Sequence, residues 1–218
     1  NDYQDGEDCT QVLKTGVWND YKCSKTSEAY VCQIRFANYC NDGEYFDGTT
    51  CYSEIPTSWF TNAGWTLHDN SDAGRPDVYF KFFSSQLSWP NARDACATAN
   101  NIVGNSKTPV LAAALDVDEM QTLYNLRQSA GLSVEKAWLG GYQTGSSNSS
   151  PYNWLEGSTP GQEECFWNCA NGNNGYTIWE SGEPNKDKEK HTEVRSNSKY
   201  WNDQDDYEQR YYWCQIRL

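Results

Sequence analysis

The chain has 218 residues, enough for one generous domain or two small ones with a self-sufficient core. Its formal charge of −13 argues against a nucleic-acid-binding surface, which needs Lys and Arg, and suits an extracellular protein or one that collects cations. Nine cysteines, no paired C-x-x-C spacing and two isolated His argue against a zinc site and point to disulfides formed on the secretory route.

The first element is a repeat. "EDCTQVLKTGVWNDYKC" (Glu7 to Cys23) returns near the other end as "EKHTEVRSNSKYWNDQDD" (Glu189 to Asp206). The two stretches close alike, in "YVCQIRF" (Tyr30 to Phe36) and "YWCQIRL" (Tyr212 to Leu218). Cys9 aligns with His191 and Cys23 with Asp206, so both cysteines of an expected Cys9–Cys23 bridge are missing together from the later copy. Residues 1–36 are too short for a domain and read as the last strands of one. The sequence starts afresh at Ala37, where Cys40 and Cys51 flank Gly-centred turn chemistry, as in a disulfide-closed hairpin. Residues 53–78 lack clear periodicity and read as an inserted loop.

"VYFKFFS" (Val78 to Ser84) predicts a strand. "SWPNARDACATAN" (Ser88 to Asn100) predicts a helix capped by Ser88, with Pro90 in its first turn and Ala92, Ala95, Cys96 and Ala99 facing inward. A second helix is predicted over Asp116 to Gly131, acidic at its start, with Met120, Leu123, Tyr124 and Leu126 near one side. "AWLGGYQ" (Ala137 to Gln143) reads as a short buried strand. The stretch from there to Tyr200 is rich in Gly, Asn, Ser and Trp and too long for an ordinary connection. Its Trp content and the close pair Cys165 and Cys169 favour an ordered, functional loop. Asn148-Ser149-Ser150 is a glycosylation acceptor. No apolar run approaches membrane-spanning length, so no membrane insertion is expected. No signal peptide opens the chain, so residue 1 reads as a processed or truncated end.

The chemistry concentrates in "WESGEPNKDKEK" (Trp179 to Lys190) and "YWNDQDD" (Tyr200 to Asp206). Glu183, Asn185, Glu189, Asn202 and Asp203 form a hard-oxygen set that suits Ca²⁺, which takes six to eight oxygens at about 2.3–2.6 Å. The same residues also read as a solvated acidic loop neutralised by Lys186, Lys188 and Lys190. Neither His68 nor His191 has a Ser/Cys-His-acid context, so no enzymatic activity is expected.

These residues resemble the C-type lectin-like domain. The resemblance spans 38–218 and rests on the Cys40–Cys51 hairpin, Cys96 in the first helix, "WLGG" (Trp138 to Gly141), "YNWLEGS" (Tyr152 to Ser158), "GEPN" (Gly182 to Asn185), "WND" (Trp201 to Asp203) and Cys214. It implies an α+β, disulfide-rich fold: two helices, two small antiparallel sheets and a long calcium-binding loop. It implies a Cys96–Cys214 bridge and calcium held by Glu183, Asn185, Glu189, Asn202 and Asp203, with Pro184 in the cis form. Asp187 or Glu193 is an alternative for Glu189, because the stretch after Glu-Pro-Asn is about two residues shorter than in the family. Glu183, Asn185, Glu189 and Asn202 would also bind sugar hydroxyls, with a preference for mannose-, glucose-, fucose- or N-acetylglucosamine-type glycans over galactose. The family's second loop disulfide is absent, and His191 and Asp206 are expected to pair in its place. Residues 5–36 resemble the end of a preceding domain of the same kind, lacking Glu-Pro-Asn. With Cys9–Cys23, Cys40–Cys51, Cys96–Cys214 and Cys165–Cys169 assigned, Cys32 is left over, for a cleaved upstream fragment, another chain, or no partner if the neighbour is truncated. The expected function is calcium-dependent glycan binding by a secreted protein. The alternative is a structural or assembly protein of the extracellular matrix, a filament or a mineral.

Overall fold

The computed structural model describes residues 9–12, 18–21, 45–46, 51–52, 54–99, 107–147, 149–155, 165–172 and 174–218. Two small hairpins stand at the front of the chain: β1 (Cys9–Val12) with β2 (Trp18–Tyr21), and β3 (Tyr45–Phe46) with β4 (Cys51–Tyr52). The remaining strands form one sheet of nine: β5 (Thr66–His68), β6 (Val78–Leu87), β7 (Val110–Leu111), β8 (Ala137–Gln143), β9 (Tyr152–Trp154), β10 (Cys165–Trp167), β11 (His191–Val194), β12 (Trp201–Gln204) and β13 (Arg210–Arg217). The main path runs β10-β9-β8-β13-β6-β5. The β11–β12 hairpin joins it through β8, so the two small sheets expected from sequence are continuous here. Most neighbours are antiparallel; β8 and β13 run parallel, which needs a long crossover rather than a tight turn.

Successive side chains on a strand face opposite ways, and here both faces are covered. Trp213 of β13, Val78 and Phe80 of β6, and Ala137 and Leu139 of β8 enter one core. Their neighbours Tyr212, Cys214, Ile216, Tyr79 and Trp138 enter the other. This is why these strands read as near-continuous apolar runs. Helix α2 (Trp89–Thr98) covers the second face, with Ala92 and Cys96 fully buried as predicted; Ser88 occupies the N-cap position, although its side chain makes no capping hydrogen bond. Helix α3 (Val117–Ser129) covers the first through Met120 and Leu123. Its cap is Asp116, which accepts from the backbone N–H groups of Asp118 (2.9 Å) and Glu119 (2.8 Å). Two disulfides are formed among the described residues: Cys96–Cys214, which ties α2 to β13, and Cys165–Cys169 in the long loop. Cys51 is also disulfide-bonded. Cys23, Cys32, Cys40 and Asn148 lie outside the described residues, as does the side chain of Cys9.

Three expectations change. Residues 53–78, read as an unpatterned loop, contain α1 (Thr57–Asn62) and the edge strand β5. Phe60 stacks on Tyr79 at 3.9 Å and Trp65 is buried, so the segment is fixed by aromatic contacts across the sheet rather than by a local period. Second, α3 carries two buried charges, Glu119 and Arg127, that its pattern does not reveal. Third, the pairing expected between His191 and Asp206 is not made. The imidazole lies tilted against Trp89, ring centroids 4.2 Å apart, with Nδ1 lacking a hydrogen-bond partner, while the Asp206 carbonyl accepts from the Trp89 N–H (2.9 Å). Trp89 thus contacts both residues in place of a direct bond between them.

Burial pushes His191 down to about 4, outweighing the nearby Asp206 charge. The unfolded chain, titrating near the ordinary histidine value of about 6.5, then binds the proton that the folded chain refuses. Stability carried by neutral His191 is complete above about pH 6.5 and falls by up to about 3 kcal/mol as pH drops toward 4. Urea unfolding of wild type and His191→Phe at pH 7 and pH 4.5 checks this. The wild type is expected to lose more stability, and equal losses would refute it.

The later copy of the repeat pairs with register His191↔Gln204, Thr192↔Asp203, Glu193↔Asn202 and Val194↔Trp201. The first copy pairs as Cys9↔Tyr21, Thr10↔Asp20, Gln11↔Asn19 and Val12↔Trp18. Position for position, the two registers are the same.

Candidate functional site

The long loop returns to β12 before the Glu-Pro-Asn segment begins. Trp179 bridges to Trp201, and the Glu180 N–H donates to the Trp201 carbonyl (2.8 Å). Around this seam Trp154, Phe166, Trp179 and Trp201 pack at stacked and edge-on angles, with Tyr152 against Phe166 and Trp179. The aromatic residues of the loop therefore extend the core beneath α3, which holds the polar segment in place. Gly182, at φ +91°, turns the chain into Glu183, and the Glu183–Pro184 peptide is cis, as expected.

Beyond the proline, the loop backbone is tied to β12 by Asp203. Its carboxylate accepts from the N–H groups of Asn185 (3.2 and 3.3 Å) and Lys186 (3.2 Å). The loop then closes on β8 and β9: the Tyr152 hydroxyl donates to the Glu189 carbonyl (3.0 Å) and the Gln143 N–H to the Lys190 carbonyl (2.7 Å). Burial pushes Asp203 up to about 6, with the adjoining Glu183 carboxyl adding to the shift against those two backbone N–H groups.

Asn202 stands beside it, and its orientation is set from behind. Its Nδ2 donates to Glu193 Oε1 (3.2 Å), leaving Oδ1 to face the loop. Glu193 is fully buried and held by Lys136 (2.9 Å) and Arg210 (2.6 Å). It is thereby engaged as an anchor for Asn202. Glu189 itself pairs with Lys186 (2.7 Å).

Sequence reasoning missed Arg195. Its Nη2 donates to Glu183 Oε1 (2.7 Å) and to Asn202 Oδ1 (2.9 Å), and its guanidinium also pairs with Glu180. The only sequence signal was its place one residue after the repeated valine, at the turn between two strands that supply candidate ligands.

No protein-family model and no curated protein matches the sequence. The structure is similar to the C-type lectin CEL-I from Cucumaria echinata, at 20% identity and a TM-score of 0.53 over 74% of this chain and 96% of that one. It is also similar to human lithostathine, at 15% identity and a TM-score of 0.53 over 79% of this chain and 100% of that one. A calcium-independent type II antifreeze protein is similar at 17% identity and a TM-score of 0.50, over 72% and 94%. The chain has the C-type lectin-like fold.

Within this lectin-like domain the structure brings together Glu183, Asn202 and Asp203, with the Asn185 backbone bonded to Asp203. Glu189 is turned to Lys186, and among the described residues no three His, Cys, Asp or Glu side chains are gathered for a metal ion. The chemistry of the converging donors nonetheless suits a hard cation. The Glu183 side chain is only 5% exposed, and its buried Oε2 receives no N–H donor and lies against the Asp203 carboxyl. Two desolvated carboxyls and an inward-facing amide oxygen leave negative charge for which a divalent ion is a natural counterpart.

Proposed function

We propose that this lectin-like domain binds glycans through a calcium ion held by Glu183, Asn185, Asn202 and Asp203, with Glu189 joining the set. The observation that carries the reading is the pair of buried carboxyls, Glu183 and Asp203, set against each other with no N–H donor at Glu183 Oε2. Calcium bound there would offer coordination positions to two adjacent sugar hydroxyls. The protein's part is then to hold its carboxylates as hydrogen-bond acceptors and its amides as donors around those hydroxyls. The Glu-Pro-Asn order favours equatorial diols, hence mannose-, glucose-, fucose- or N-acetylglucosamine-type glycans. The role is binding, not catalysis. Formed disulfides, including one of span 118, support an oxidising, extracellular setting, and no described helix is long and apolar enough to cross a membrane.

A second reading is an extracellular structural or assembly role that uses the fold without an ion. Arg195 and Lys186, already paired with Glu183 and Glu189, favour it.

The two readings part in one experiment. With calcium, the wild type is expected to be retained on immobilised mannose and eluted by EDTA, and its melting temperature should rise with calcium. Glu183→Ala should lose both responses. Absence of retention together with identical melting in calcium and EDTA would overturn the lectin reading.

A further inference from the structure

We propose that Arg195 is a tethered competitor for the cation position, so that calcium enters by displacing its guanidinium from Glu183 and Asn202. This rests on the calcium reading above and concerns what sets the ion's affinity. The guanidinium donates to Glu183 Oε1 (2.7 Å) and Asn202 Oδ1 (2.9 Å), two oxygens assigned to the ion, so one charged group bridges two ligands. Glu183 is the carboxylate whose other oxygen has no donor; the guanidinium neutralises only half of what is buried there. A guanidinium and a calcium ion cannot share Glu183 Oε1 and Asn202 Oδ1, because both would sit in the same small gap between them.

The arrangement also lets the head leave without disturbing the frame. The Arg195 backbone is fixed at both ends: its N–H donates to the Tyr200 carbonyl (2.9 Å), and its carbonyl accepts from Arg127 Nη1 (3.1 Å). Arg127 is itself buried and also holds the carbonyls of Glu135 (2.8 Å) and Ser198 (2.6 Å), pinning the β11–β12 turn to α3. The Arg195 side chain, by contrast, is 36% exposed and also pairs with the half-exposed Glu180, so its head group has a partner nearer the surface to move toward. A binding-competent state in which the guanidinium is released would be the minor one. The apparent calcium affinity is the intrinsic affinity reduced by the fraction of molecules in that state.

Calcium titration by calorimetry on the whole chain tests this. Arg195→Gln is expected to bind calcium about tenfold more tightly than wild type, the result of lifting a competent fraction of about one tenth toward one. Its melting temperature in EDTA is expected to fall, since the carboxylates lose their counter-charge. Arg195→Lys, which keeps the charge on a shorter side chain, is expected to tighten binding by a smaller factor and serves should the glutamine variant fail to fold. Calcium affinity unchanged or weakened in the variant that folds would overturn the competitor role while leaving the calcium site standing. If neither wild type nor variant binds calcium, the calcium reading falls and this inference with it.

Discussion

Replacing Cys96 and Cys214 together by Ala is expected to lower the unfolding free energy by about 4–5 kcal/mol. The bridge spans a sequence separation of 118, so in the chain-entropy account the intact disulfide removes a large part of the unfolded chain's freedom. Both cysteines are fully buried, in the core that α2 shares with β13, so the bridge fastens a helix to the central strand of the sheet. Truncating two sulfurs there also leaves an under-packed space, which adds to the loss. Equilibrium urea unfolding under non-reducing conditions measures it. A loss under about 1 kcal/mol would mean that the unfolded chain is already compact enough to make the tether redundant.

The second large effect is expected at Glu119. This carboxylate has no exposure and gathers four donors: Arg217 (3.0 and 3.2 Å), Asn70 Nδ2 (3.1 Å), the Leu115 N–H (2.9 Å) and, more loosely, Arg75 (3.4 Å). Arg75 also pairs with Asp116, the cap of α3. One buried group therefore joins the start of α3, the end of β13 and the segment around Asn70. Glu119→Ala would strip the buried Arg217 guanidinium, 3% exposed, of its carboxylate, and such a loss typically costs about 3–5 kcal/mol. Thermal and urea unfolding of Glu119→Ala should show a decrease of that order. The paired variant Glu119→Leu with Arg217→Met, which removes both charges, should recover part of it. If the single variant loses less than about 1 kcal/mol, the carboxylate is not the junction described above.

The parts legible in the sequence are those encoded locally. The two long helices announced themselves through Pro90, Asp116 and Gly131, and "AWLGGYQ" fell on its strand because an apolar run bounded by Gly and polar residues suits a strand covered on both faces. The Cys96–Cys214 bridge and the cis Pro184 came from resemblance, not from spacing, and both are present. What sequence concealed depends on partners far along the chain. Glu119 reads as an ordinary first-turn acid on a helix; its burial follows from Arg217, 98 positions away. Arg195 reads as a turn cation until the loop folds back and sets Glu183 beside it. Residues 57–68 hid a helix of six residues and a strand of three, each too short to show a period. His191 illustrates a different limit: its contact is not Asp206 but a tilted aromatic ring supplied by α2.

The matching registers of the two hairpins have a consequence for how the site tolerates change. Residues 13–17 connect the strands in the first copy and residues 195–200 in the second, so the connections differ by one residue while every cross-strand partner is kept. Turn length normally helps dictate which residues face each other. Here that instruction resides in the strands themselves, in the Thr-x-Val run set against Trp-Asn-Asp. The side chain at the place of Arg195 can thus change while Asn202 and Asp203 keep their seats, whereas the carbonyls of Arg195 and Ser198 must stay where Arg127 reaches them.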